Sequence, residues 1–114
     1  MLTIYHNPRC SNSRAALELI RQAGHEPVVV EYLQTLPDRA TLQELARASG
    51  LGLRVLLRSK EAAYAELGLD NPALDDEALL DAMAQHPVLL NRPIVVGPRG
   101  VGLCRPPERV LELL

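Results

Sequence analysis

A cysteine, Cys10, stands in the polar stretch HNPRCSNSR near the start of the chain, with Arg9 and Arg14 close by. A thiol there has three readings: buried filler, half of a metal or disulfide pair, or a nucleophile. Filler belongs on an apolar stripe, whereas Cys10 has Asn7, Pro8, Ser11 and Asn12 as neighbours. Zinc needs clustered ligands, and His6, His25, His86, Cys10 and Cys104 show no paired spacing. Ser13 occupies the position that would complete a C-x-x-C motif, which excludes a local disulfide. The phosphatase loop C-x5-R requires an arginine where the chain has Ala16. The polar surroundings favour a nucleophile over buried filler, and any resolving thiol is expected from another molecule. Cys104, at the end of an apolar strand, reads as filler, while His25 in a turn and His86 at a helix end read as solvated. His6, in the same loop as Cys10, either orients the thiolate or merely ends a strand.

The elements around Cys10 decide what its thiol can do. LTIY (2–5) is a short apolar, β-branched run closed by the turn formers HNP, and reads as a strand. Ala15, Ala16, Leu19, Ile20 and Ala23 keep helical spacing from Ser11 to Ala23, with Gly24 as the cap. PVVVEY (27–32) reads as a second strand, its valine run suited to a sheet covered on both faces. Strand, helix, strand is a βαβ unit with parallel strands. From about 38 to 86 the pattern is helical: Thr41 and Glu44 match a capping box, and Leu42, Leu45 and Ala46 form a stripe ended by Gly50. LRVLLRSKEAAYAELGL and DDEALLDAMAQH continue it, broken by Gly68 and Pro72. PIVV (93–96), the turn GPRG and VGLC (101–104) predict a hairpin, and PPERVLELL a closing helix begun on prolines.

That order predicts an α/β chain with a thioredoxin-like fold: βαβ, helical insertion, β-hairpin, α, around a mixed four-stranded sheet. In such a fold the first strand delivers HNPRC to the N-terminus of the first helix. Unsatisfied N–H groups and the positive dipole end there favour thiolate over thiol. Such placement lowers a cysteine pKa from about 8.5 to roughly 3.5–7.5.

Composition bounds the rest. The 114 residues predict one domain, 1–114, and the net charge of −2 gives no field that would draw nucleic acid or an anionic membrane. Two cysteines make no disulfide framework, and there is no basic-flanked leader or apolar run of about 20 residues. A cytoplasmic setting is expected. Eleven of the twelve basic residues are arginine, so an arginine at any given position carries little information by itself. Arg21, Arg39, Arg47, Arg54 and Arg109 fall on helix faces and read as solvated. Arg92 precedes Pro93 at a strand start, where thioredoxin-like folds typically have a cis bond facing the first helix's N-terminus. Arg58 ends LRVLLR, and Arg105 follows the last strand. Converging, these three would form a fork-shaped receptor for a tetrahedral oxyanion.

IYHNPRCSNSR, LLRSKEAAYAELGL, HPVLLNRPIVV and LCRPPERVLELL together resemble the glutaredoxin-coupled arsenate reductase (ArsC) family, in order and over almost the whole chain. The resemblance implies Cys10 as the catalytic nucleophile and Arg58, Arg92 and Arg105 as the oxyanion-binding residues, with His6 beside the nucleophile. His6, Ser13 and Arg14 are taken as the thiolate-supporting residues. It further implies reduction of arsenate through a Cys10–arsenic adduct, with glutathione as co-substrate, glutaredoxin as partner, and no metal or bound cofactor. Better-known members extend beyond the position of Leu114 and have a loop of smaller residues where this chain has RCSNSR. Two other classes share the fold: Spx-like regulators that bind RNA polymerase and sense redox state through C-x-x-C, and glutathione-dependent thiol reductases acting on other substrates. Ser13 removes the switch of the first.

Overall fold

The computed structural model describes residues 2–114 and divides into two compact units, one of residues up to 35 together with 92–114, the other of residues 36–91. In the first, strand β1 (Thr3–His6) leads through a tight loop into helix α1 (Ser11–Gln22), and strand β2 (Val28–Glu31) follows. The chain re-enters the unit as the hairpin β3 (Ile94–Gly97) and β4 (Gly100–Leu103). The sheet order is β2-β1-β3-β4; β1 and β2 are parallel, and β1–β3 and β3–β4 antiparallel. This is the mixed four-stranded arrangement expected.

Alternation along β1 buries Ile4, and helical spacing along α1 buries Ala16 and Ile20. These residues share one apolar core with Leu2, Val95, Cys104 and Val110. The expectation for β2 was a strand covered on both faces. Instead β2 lies at the sheet edge, and Val28 is 48% exposed. An apolar run reports the propensity for a strand; its coverage is set by which neighbours the topology supplies.

PPERVLELL forms a 3-10 helix, Pro107–Leu113, whose Val110 enters the core and whose Leu113 meets the hairpin. A Cβ built on Gly97 would overlap the Leu113 carbonyl, and one on Gly102 would touch its side chain. Glycine is therefore required at 97 by close approach, not by an unusual backbone angle.

The second unit is helical: α2 (Arg39–Ser49), α3 (Leu53–Leu56), α4 (Ala62–Glu66) and α5 (Asp76–Gln85). α2 begins earlier than the Thr41–Glu44 box implies, because Asp38 is the cap and its carboxylate accepts the Thr41 N–H at 2.8 Å. Glu44 is left within the helix, paired with Arg47. Gly50 ends α2 in the left-handed conformation at φ 72°, as its position predicted. Arg54, expected to be solvated, donates to the carbonyls of Leu69, Asn71 and Leu74 at 3.1, 2.8 and 3.0 Å, and so ties α3 to the loop before α5. No helix among the described residues is long and apolar enough to cross a membrane.

Candidate active site

The loop between β1 and α1 is built by its own sequence. Asn7 accepts the Cys10 N–H on its carbonyl at 3.0 Å, which closes a turn with Pro8 at its second position. The Asn7 side chain accepts the Arg9 N–H, also at 3.0 Å. From the helix side, Arg14 donates to the Pro8 carbonyl at 2.8 Å. Ser13, fully buried, accepts the Asn7 N–H at 3.1 Å and bonds His6 Nδ1 at 2.6 Å. Asn7 was not singled out as a site residue, although the N-P dipeptide, a turn initiator, was the available signal.

These contacts place Cys10 as the residue preceding α1, with extended backbone angles and no side-chain cap bond. The donors that a cap oxygen ordinarily takes, N–H groups of the first turn, are left for an anion on sulfur. Burial is the largest single influence on the thiol and pushes its pKa up. It is outweighed by the Ser13 N–H, the Arg105 and Arg92 guanidiniums and the Asn12 N–H together, so Cys10 lies below the ordinary thiol value of 9.0. Cys104 contrasts with it. Fully buried in the core, it is pushed up to about 12, chiefly by loss of solvent.

Strand register brings the arginines to this loop. Ile94 of β3 lies opposite both Tyr5 of β1 and Leu103 of β4, so the residues just before β3 and just after β4 share the end of the sheet where β1 finishes. Arg105 Nη1 lies 3.8 Å from Cys10 Sγ and 2.8 Å from the carbonyl of Arg92, a contact that fixes its guanidinium beside the sulfur. Arg92 is only 8% exposed, and its guanidinium acts with that of Arg105 to lower the Cys10 pKa. The Arg92–Pro93 bond is cis, as expected, and so is Arg105–Pro106.

Burial, the largest influence, pushes the His6 pKa below its ordinary value, with Arg21 and Arg14 acting in the same direction and Glu31 opposing. The Ser13 hydroxyl, which accepts from Asn7, also pairs with His6 Nδ1. His6 thus meets Ser13, which in turn supports the turn carrying Cys10. The first unit therefore brings Cys10, His6, Ser13, Arg14, Arg92 and Arg105 together. Arg58 belongs to the helical unit, where its N–H donates to the Leu89 carbonyl and its Nε pairs with Glu61 at 3.4 Å. No group of three His, Cys, Asp or Glu residues among the described residues is placed to hold a metal ion.

A thioredoxin-like fold with an activated cysteine at the start of its first helix, flanked by two arginines, defines a class of thiolate enzymes that act on anions. The model of the ArsC family matches residues 5–113, and the chain belongs to that family. The arsenate reductase of Rhizobium meliloti is 55% identical over 99% of this chain and 81% of its own length. YfgD, an uncharacterized protein of Escherichia coli K12, is 49% identical over 97% of this chain and 94% of its own. The solved arsenate reductase from Vibrio cholerae superposes with a TM-score of 0.94 at 46% identity, covering 99% of this chain and 97% of that one.

Proposed function

We propose that the chain is an arsenate reductase that works through a covalent adduct on Cys10, drawing electrons from glutathione and glutaredoxin. The observation that carries this reading is the placement of the sulfur: Cys10 caps α1 with no side-chain cap bond of its own, and Arg105, tied to the Arg92 carbonyl, holds Nη1 3.8 Å from Sγ. The open first-turn N–H groups and this guanidinium suit a thiolate waiting for an oxyanion, because they can pass from the sulfur to the ligand's oxygens as the S–As bond forms.

The thiolate attacks arsenic(V), and one arsenate oxygen leaves as water after taking up protons. Arg92 and Arg105 balance the oxyanion's charge during this step. Arg58 completes the set on the strength of its LLRSK match to the family. Glutathione then adds to arsenic with loss of a second water. A glutaredoxin thiolate takes the glutathione sulfur as a mixed disulfide, leaving two electrons on arsenic. Hydrolysis of the remaining S–As(III) bond releases arsenite and restores Cys10. The protein itself carries no redox group in this scheme, which matches a chain whose second thiol is buried and inert. The reducing thiol pool of the cytoplasm is the setting it requires.

The test couples the purified protein with arsenate, glutathione and glutaredoxin, through glutathione reductase, to NADPH oxidation. Arsenate-dependent oxidation that disappears in Cys10→Ser is expected. No arsenate-dependent oxidation by the folded wild-type protein refutes the reading.

A further inference from the structure

The turn that follows α3 carries a carboxylate, Glu61, that the proposed chemistry does not use. Glu61 donates its N–H to the Arg58 carbonyl at 3.2 Å, closing a four-residue turn, and its carboxylate lies 3.4 Å from Arg58 Nε. The two side chains are 21% and 24% exposed, so the pair is neither deeply buried nor fully solvated. Glu61 stands at the cap position of α4, yet its side chain makes no cap hydrogen bond there.

We propose that Glu61 is a positioning residue for oxyanion binding, an inference that rests on the reading of Arg58 as an oxyanion ligand. A guanidinium can grip an anion bidentately along its Nε–Nη edge or between its two terminal Nη groups. With Nε engaged by Glu61, the first edge is taken and the terminal pair meets the ligand. The carboxylate thereby fixes both the rotamer of Arg58 and the edge it presents. Its charge has a second effect, since a fixed anion beside the guanidinium weakens binding of any incoming anion, by a severalfold factor at a partly exposed position. An anion that meets Arg58 alone is therefore held poorly. One that engages additional donors is retained.

The two effects separate by substitution. Glu61→Gln keeps an oxygen for Nε and loses the charge, so the KM for arsenate should fall about three- to tenfold. Glu61→Ala loses the oxygen as well, releases the guanidinium, and should lower kcat about three- to tenfold. Melting temperatures are recorded for both variants, and KM and kcat are compared per folded molecule. The deciding measurement repeats both changes in an Arg58→Ala background, where each effect should shrink below twofold. Effects that persist undiminished there, or an unchanged KM in Glu61→Gln, overturn the proposal. If Arg58→Ala alone leaves KM and kcat at wild-type values, the role of Arg58 itself fails, a result distinct from either of those.

Discussion

Replacing Arg105 by alanine removes a positive charge 3.8 Å from the Cys10 sulfur and a donor 2.8 Å from the Arg92 carbonyl. Two unit charges about 4 Å apart interact by about 4 kcal/mol at an effective dielectric of about 20, and by about 1 kcal/mol in bulk water. The Cys10 sulfur keeps partial contact with solvent, so the lower part of that range applies. A loss of about 1.4 kcal/mol corresponds to one pKa unit. The Cys10 pKa should therefore rise by about one unit, and the alkylation rate below that pKa should fall up to about tenfold. Leaving the Arg92 carbonyl without this donor costs about 1–3 kcal/mol of stability as well. The melting temperature should drop, and turnover must be compared per folded molecule. Arg105→Lys restores the charge without the fork and should recover the pKa in part. The assay is the rate of iodoacetamide modification of Cys10 against pH, followed by mass spectrometry on wild type and both variants. Arg21→Ala, which removes an exposed pair with Glu26, serves as the control. If Arg105→Ala lowers the melting temperature but leaves the Cys10 pKa where it was, Arg105 is a structural tether and does not stabilise the thiolate.

With limiting iodoacetamide near neutral pH, Cys10 should be labelled first and Cys104 only on unfolding; preferential labelling of Cys104 would reverse the assignment. His6 has a folded pKa below its ordinary 6.5, so the unfolded chain binds a proton that the folded one refuses. Its contribution to stability is present above pH 6.5 and is lost as the pH falls from there toward the folded value. His6→Gln should flatten that loss in urea midpoints measured from pH 7 to pH 5, and an unchanged slope would count against a neutral, Ser13-bonded His6. Gly97→Ala should destabilise by about 1–3 kcal/mol, since the added methyl must displace the Leu113 carbonyl; a midpoint equal to wild type would show that the 3-10 helix yields freely.

Much of the first unit was legible because local chemistry and tertiary role agree there. Cys10 sits at a helix start since N-P initiates the turn before it and helical spacing runs from Ser11, and the same N–H groups that the helix leaves open stabilise its sulfur. Gly50 stops α2 through a backbone angle that glycine adopts without strain. What escaped depends on partners distant in sequence. The exposure of β2 follows from its place at the sheet edge, and the three carbonyls that Arg54 binds lie 15 to 20 residues away. The cap of α2 escaped for a different reason: D-R-A-T and T-L-Q-E are both plausible starts, and only the geometry of the Asp38 carboxylate chooses between them. His6 could not be resolved from sequence because its partner, Ser13, lies seven residues on, and the ring that ends β1 also meets that hydroxyl behind the Cys10 loop.

The first unit is assembled from two stretches of chain separated by the whole helical segment. During synthesis on the ribosome, Cys10 emerges long before Arg92 and Arg105 exist. Until the hairpin has been translated and paired with β1, the sulfur lacks both of its guanidiniums, and the nascent chain carries a less acidic thiol. Acidification of the Cys10 thiol is thus a late event in the life of each molecule, coupled to closure of the sheet by β3 and β4. A truncated product ending within the helical segment would contain the cysteine and its loop sequence without the two arginines that help make its thiol acidic.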